Sequence, residues 1–222
     1  MGLDWDCIAH RGFAGVNPEN TLAAVRDCAG ADAVEVDARR CGSGEVVVCH
    51  DAAVDRVSDG EGAVADLSRE DLSALDVLGT GEGVPTLAAV AEALPPGVGL
   101  NVELKEQGIA ADALAAVADV DDVLVSAFDP AALREAAAAG DRPLALLFGA
   151  SPATGLATAQ ELDCAAVHPA VALCDEGFVG DCHDAGLRLN AWTIRDGETA
   201  QRAHRAGVDG LIADAPAFCG SD

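Results

Sequence analysis

Between Val84 and Ala213 the sequence repeats one pattern, and that repetition constrains the fold more than any other feature. Helical stretches at 87–94, 109–118, 130–139, 152–161, 176–185 and 198–206 alternate with short apolar runs at 99–105, 123–128, 144–148, 165–168, 187–193 and 210–213. Gly140, Gly186 and Gly207 close three of the helices, as expected of residues that adopt a left-handed cap without strain. Strict alternation of this kind implies parallel strands joined by helical crossovers. Two earlier apolar runs, 5–10 and 33–37, raise the strand number to eight, which is the number that closes a (β/α)8 TIM barrel. An open doubly wound sheet is the competing α/β architecture. It is normally entered through a Gly-rich first turn, and neither G-x-G-x-x-G nor G-x-x-x-x-G-K-[ST] occurs in this chain.

One stretch breaks the alternation. From Ala33 to Asp51 the chain reads AVEVDARRCGSGEVVVCHD, with a Gly-Ser-Gly turn between two Val-rich runs. A parallel partner needs a crossover of a dozen or more residues, and only seven separate Asp37 from Glu45. The run 46–49 must therefore return antiparallel, as a hairpin extension of strand two. The polar, Gly-rich segment 51–83 then reads as a small insertion carrying one capped helical turn at Ser68–Leu72. Upstream, Asn17-Pro18-Glu19 reads as an N-cap, a proline at the first helical position and an acid in the first turn, and the helix that follows is expected over Thr21 to about Ala29. With no linker or repeat, residues 1–222 are expected to form one domain, with 51–83 inserted in it.

Strand period places Glu35 and Asp37 on one face of strand two, and Glu103 and Lys105 on one face of strand three. Acids inside Val-rich strands are costly to bury unless something positive lies between them. In so acidic a chain an E-x-D pair could arise by chance, and on a helix or loop it would carry no weight; inside Val-rich strands it points to function. Three carboxylates without a cysteine or an evident histidine ligand favour a hard divalent cation, Mg²⁺ or Ca²⁺, over zinc. Barrels of this type carry function at the C-terminal ends of their strands. Those ends hold His10, His168, Ser126, Asn190 and Trp192, while the hairpin arm returns His50 to the same rim. His10 and His50 are candidates for proton transfer. His168 fits rim structure as well as substrate contact, and Trp192 could wall a pocket or fill the barrel. Lys105 is the only lysine in the chain and sits two residues from a candidate metal ligand, as a functional cation or as a buried ion pair.

The net charge of −25 is dispersed, with 38 acids against 13 Lys and Arg. A surface of that kind resembles the proteins of salt-accumulating halophiles, where molar salt shortens the screening length to ~3 Å; a merely acidic protein is the plainer alternative. The halophilic reading predicts loss of structure when salt is removed, with cooperative folding in salt-free buffer as the contrary result. No basic stripe exists to displace counterions from nucleic acid. No apolar run approaches the ~20 residues of a membrane span, and the N-terminus MGLDWDCIAH resembles neither a signal peptide nor a myristoylation site. A cytoplasmic protein without stable membrane insertion is the expectation, its oligomeric state open. The eight cysteines include no C-x-x-C pair and sit mostly among Ala and Val, so they read as reduced, apolar filler.

Taken together, IAHRG (8–12), PENT (18–21), VEVD (34–37), VVVCHD (46–51), DRVSDGEGAV (55–64), VPTL (84–87), NVELK (101–105), SAFD (126–129), NAWTI (190–194) and GVDGLIAD (207–214) resemble the glycerophosphodiester phosphodiesterase family nearly end to end. That family shares its barrel with the phosphoinositide-specific phospholipases C. The resemblance implies that His10 and His50 act as general acid and base, that Glu35, Asp37 and Glu103 hold a divalent cation, and that Arg11 and Lys105 neutralise phosphate. The implied reaction cleaves a small glycerophosphodiester to glycerol phosphate and an alcohol, often through a cyclic phosphate formed by the substrate's own glycerol hydroxyl. A phosphodiesterase acting on intact lipid and a non-catalytic phosphate-binding barrel are the alternatives. Three departures bear on the alcohol moiety. The 51–83 segment is short, the helix after Lys105 is brief, and Arg195 stands where the family more often has Asn.

Overall fold

Eight parallel strands close on one another in a computed structural model that describes residues 5–220. They are β1 (Cys7–His10), β2 (Ala33–Arg40), β4 (Gly99–Leu104), β5 (Val123–Ala127), β6 (Leu144–Phe148), β7 (Ala166–Pro169), β8 (Arg188–Ile194) and β9 (Gly210–Ala213). β1 pairs with both β2 and β9, which completes the (β/α)8 barrel. β3 (Val46–Val48) lies outside the ring, antiparallel to the end of β2, with Ala38 opposite Val48. Among the described residues the eight α-helices are α1 (Leu22–Arg26), α2 (Arg69–Ser73), α3 (Leu87–Ala93), α4 (Ala110–Ala116), α5 (Pro130–Ala139), α6 (Pro152–Glu161), α7 (Glu176–Asp184) and α8 (Gly197–Ala206).

Alternation along each strand divides the core. Val34, Val36 and Ala38 of β2 join Leu100, Val102 and Leu104 of β4 in the large cluster under the helices. The alternate positions face into the barrel, where Ile8, Ala33, Leu124, Ala145, Ala166 and Ile212 pack with Trp5. Small residues are required there. A Cβ on Gly99 would lie 2.4 Å from the Trp5 ring, and one on Gly210 would lie 2.4 Å from its carbonyl oxygen. The same alternation carries inward-facing polar positions toward the other end. The register sets His10 beside Glu35, Glu35 beside Asn101, Asp37 beside Glu103 and Glu103 beside Ser126.

The insertion has a small core of its own, with Val54, Val57, Val64, Leu72 and Val77 packed against Val47 and Val84. Its helix α2 is held by a capping box between Ser68 and Asp71.

Two sequence expectations are corrected. The capping signal at Asn17 is not used: the first helix opens at Thr21 as expected, with Thr21 itself the N-cap, its Oγ1 accepting from the Ala24 N–H, and it ends at Arg26 rather than near Ala29. Asn20 adopts φ 57°, which breaks any helix entering from Pro18 and leaves Glu19 and Asn20 for contacts at the site. The cysteines are also not all reduced. Cys7 and Cys219 form a disulfide with their Cα atoms 5.2 Å apart, while the other six are buried free thiols. Their separation of 212 residues concealed the pair, because only barrel closure sets β1 beside β9 and the turn that follows it. This bond ties the first strand to the last turn. Reduction should therefore lower unfolding stability by ~2–5 kcal/mol, measured by denaturant titration with and without dithiothreitol. Equal midpoints would show that the closure does not need it. The N-terminal reading falls partly on residues 1–4, outside the described residues. Among the described residues no helix is long and apolar enough to cross a membrane.

Candidate active site

A cavity of about 270 Å³ opens at the C-terminal ends of the strands, and its walls include His10, Arg11, Glu35, His50, Glu103 and Lys105. Its floor is the carboxylate cluster. One oxygen from each of Glu35, Asp37 and Glu103 lies within 4.8 Å of the others, and all three residues are buried. Two cations serve three acids. Lys105 Nζ donates to Glu103 Oε1 at 2.5 Å and lies 3.3 Å from Asp37 Oδ1, while Arg11 Nε lies 3.2 Å from Asp37 Oδ2.

This imbalance is visible in the acidities. Burial, and then the charges of Asp37 and Glu103, push the Glu35 carboxyl well above its ordinary 4.5. Burial and Asp37 raise Glu103 as well, against the pull of Lys105. Asp37 moves the other way: burial opposes its charge, but Lys105 and Arg11 outweigh it. Glu35 Oε1 and Asp37 Oδ1 are buried with no hydrogen-bond donor in geometry, the Lys105 contact to Asp37 being a close but unaligned ion pair. An all-oxygen donor set, buried, short of positive charge and with two orphaned oxygens, fits a hard divalent cation.

The histidines flank this floor from different elements. His10 ends β1, and its Nδ1 donates to Asp214 Oδ1 at 2.6 Å. His50 follows β3, and its Nδ1 donates to Asp51 Oδ1 at 2.7 Å. An ionised carboxylate only accepts, so each ring carries its Nδ1 proton and keeps Nε2 for another partner. Asp51 is ionised at neutral pH. Burial works against its charge, but hydrogen bonds from Arg56 and His50 draw it down to about 2. Asp214 is likewise below its ordinary value, the His10 and Arg195 contacts overcoming burial.

Backbone geometry turns Arg11 back over the floor. Arg11, Gly12 and Phe13 take φ of 50°, 79° and 63° in succession, which folds the chain across the rim. The Arg11 backbone N–H then donates to Glu35 Oε2 at 3.0 Å. Gly12 is required twice, by its φ and because a Cβ there would lie 2.7 Å from that of Ala24. Asn20, set free by its own left-handed turn, donates to Asp37 Oδ2 at 2.8 Å.

Trp192 walls the cavity, its Nε1 donating to the His168 carbonyl at 2.7 Å and its ring meeting Phe128 edge to face at 5.4 Å. His168, a candidate substrate contact in the sequence, does not line the cavity. It is fully buried inside the barrel, where Asn190 meets its Nε2 at 3.1 Å and burial lowers its pKa to about 3. It is a neutral packing residue that orients Trp192 through its backbone.

A model of the glycerophosphoryl diester phosphodiesterase family matches residues 10–218. The chain belongs to this family. A glycerophosphodiester phosphodiesterase of Caldanaerobacter subterraneus subsp. tengcongensis is 33% identical, covering 94% of this chain and 93% of its own. A solved Oleispira antarctica phosphodiesterase, in complex with the product sn-glycerol-3-phosphate, superposes with a TM-score of 0.87 at 32% identity, covering 95% of this chain and 93% of that one. The glycerophosphodiester phosphodiesterase of Thermotoga maritima shares the fold at a TM-score of 0.77 and 26% identity, over 94% and 93% of the two chains.

Asp214, Asp51, Asn20 and Glu19 all lie inside the sequence motifs, but their sequence positions assign them no role at the site. Arg56 of the insertion is the clearest case. It donates to both Glu19 oxygens at 2.8 Å and to Asp51 Oδ2, while Arg11 Nη1 donates to Glu19 Oε1 at 3.0 Å. One guanidinium thus couples the carboxylate behind His50 to the carboxylate behind Arg11.

Proposed function

We propose that this chain hydrolyses glycerophosphodiesters to glycerol phosphate and an alcohol, with a divalent cation held by Glu35, Asp37 and Glu103. The observation that carries the reading is the pairing of His10 and His50. Both line one cavity over a three-carboxylate floor, and both are backed at Nδ1 by an ionised carboxylate. Membership of the family and the product-bound relative support it. The cavity is small beside the roughly 300–1,000 Å³ of sites for drug-sized ligands, which favours a small diester over an intact lipid.

When bound, the cation would offset charge on a nonbridging phosphate oxygen and acidify the attacking hydroxyl. Arg11 and Lys105, held by Asp37 at the edge of the floor, supply fixed positive charge to the phosphate. His50 is the proton acceptor in this account. Burial holds its pKa below the ordinary 6.5, with the Asp37 charge and the Asp51 hydrogen bond opposing, so the ring is neutral near pH 7. His10, entering the step with Nε2 protonated as well, gives that proton to the leaving alkoxide, its ring kept in orientation by Asp214. Water then opens the cyclic phosphate with the roles reversed: His10 takes the proton of the water, and His50 returns the one it accepted to the glycerol oxygen, so both rings end as they began.

The acid limb of kcat/KM follows from this. Protonating His50 removes the acceptor, so the limb lies below pH 6.5. Asp51 raises the His50 pKa, so Asp51→Asn should move the limb to lower pH; a limb that stays in place or rises would exclude His50 as the acceptor. Folding shifts the group in the same sense. With a folded pKa below the unfolded one, His50 favours the native state above pH 6.5, and that contribution is lost as pH falls.

A panel of glycerophosphocholine, glycerophosphoglycerol and phospholipid vesicles, in high salt with added Mg²⁺ or Ca²⁺, tests the reading by release of glycerol phosphate. Turnover of the small diesters alone supports it. Turnover of vesicles would point to a lipid phosphodiesterase, and calorimetric binding of glycerol phosphate without turnover of any diester to a binding barrel. A cytoplasmic setting would have to accommodate the Cys7–Cys219 bond, because a reducing cytosol works against it.

A further inference from the structure

Resting on the diesterase reading, we infer that Arg195 selects the alcohol half of the substrate, favouring diesters whose alcohol carries a negative charge. Three cations line the cavity, and two of them are committed to its floor. Arg11 and Lys105 have side chains only 16% and 12% exposed, and both pair with Asp37. Arg195, just beyond the end of β8, is different. Its side chain is 68% exposed, and only Nε is engaged, at 3.1 Å from Asp214 Oδ2. Its two terminal nitrogens have no protein partner among the described residues.

That bond fixes where the charge sits. Asp214 holds His10 with one oxygen and Arg195 with the other, so the guanidinium is tethered at the mouth, directly outside a candidate catalytic imidazole. The glycerol phosphate half is common to all substrates of such an enzyme, and the buried floor receives the phosphate. The variable alcohol is the part left to reach the mouth. The apolar walls that reach solvent there are Phe128 and Trp192, with Leu147 and Ile212 buried beneath them, and these contribute shape but no formal charge.

Asp214 pairs with Arg195 through Nε and is shared with His10, while Asp51 is engaged by Arg56, which also holds Glu19. Neither carboxylate reaches the two terminal nitrogens of Arg195, which still face the mouth as donors. A cationic alcohol would meet the guanidinium head on, even though the half-exposed Phe128 and Trp192 rings could otherwise attract it. A carboxylate or phosphate on the alcohol would accept from the two unengaged nitrogens in the paired geometry that guanidinium favours. The long-range field of a −25 chain works in the opposite direction, repelling anions. Selection must therefore arise by contact at the mouth rather than by steering.

Three diesters of glycerol phosphate, with ethanolamine, ethylene glycol and glycolic acid, place a cation, a neutral hydroxyl and an anion at one position. The wild-type chain should favour the glycolate over the ethanolamine diester by roughly tenfold or more in kcat/KM, a contact-range charge effect, expressed mainly in KM. Arg195→Asn should bring the ratio near one, Arg195→Glu should invert it, and Arg195→Lys should keep its direction. Arg142→Asn, the same charge change at the opposite end of the barrel, should leave the ratio alone. Equal losses on all three diesters in Arg195→Asn would mean that Arg195 holds the phosphate, and would overturn the assignment. So would a wild-type preference for ethanolamine, or a ratio unmoved by Arg195→Glu. Cleavage of none of the three by the wild-type chain would instead sink the diesterase reading, and the assignment with it.

Discussion

His10→Ala and His50→Ala should each lower kcat on small glycerophosphodiesters by roughly 10²- to 10⁴-fold, with KM moving far less. The expectation follows from the arrangement of the rings rather than from their identity alone. Each imidazole is oriented by a carboxylate on Nδ1, so each offers Nε2 to the cavity without first having to rotate or exchange a proton. In the proposed reaction proton transfer develops in the transition state, whereas phosphate binding would rest on Arg11, Lys105 and a cation held by the carboxylate floor. Loss of either ring should therefore leave ground-state affinity largely intact. The double variant should be little slower than the worse single one, because the two protons move in one reaction. Both side chains reach solvent, at 13% and 32% exposure, so truncation should not unfold the chain; circular dichroism at matched salt checks this. A tenfold loss or less in both variants would exclude acid–base catalysis by this pair.

The second large effect concerns stability. Lys105→Met should destabilise the cation-free protein by ~3–5 kcal/mol, the cost of leaving buried carboxylates without their partner. Lys105 is held between Glu103 and Asp37, and its removal leaves three buried acids facing Arg11 alone. Saturating Mg²⁺ or Ca²⁺ should restore part of that loss, since an ion that binds only the native state stabilises it by mass action. The pH dependence has a definite sign. Glu35 has its folded pKa raised well above 4.5, so its contribution to stability is present below 4.5 and is lost as pH rises. Lys105, raised above 10.5, contributes below 10.5 and loses that contribution as pH rises through its folded value. The cation-free chain should therefore weaken from weakly acid pH upward, and bound cation should flatten that decline. Thermal melts of both proteins, with and without cation, measure all of these. A Lys105→Met protein as stable as the wild type without cation would show that the floor is not held together by charge.

The barrel was legible because its signal is local and repeated. Each helix–strand pair declares itself in some twenty residues, and the hairpin at β3 followed from the chain length available for a crossover. Glu35 with Asp37, and Glu103 with Lys105, were legible for the same reason, since alternation within one strand fixes the face they share. What stayed hidden depends on closure. Asp214 lies 204 residues from His10, and Cys219 lies 212 from Cys7; only the pairing of β1 with β9 brings them together. Arg56 sits in a polar insertion with no periodicity to orient it. His168 could not be decided from its position at a strand end, which fits rim structure as well as substrate contact; inward alternation buries it below the cavity, beside Asn190. Asn17 and Pro18 carry every local mark of a helix start, and the left-handed Asn20 overrides them because its side chain is needed at Asp37.

The central claim is that three carboxylates make this barrel a cation-dependent diesterase. The most direct measurement strips the protein with chelator, then back-titrates Ca²⁺ and Mg²⁺ while following glycerol phosphate release, in the wild type and in Asp37→Asn. The account predicts no release from the stripped wild-type protein, saturable recovery with at least one of the two ions, and no recovery in Asp37→Asn. Undiminished turnover in excess chelator, or equal recovery in both proteins, would contradict it.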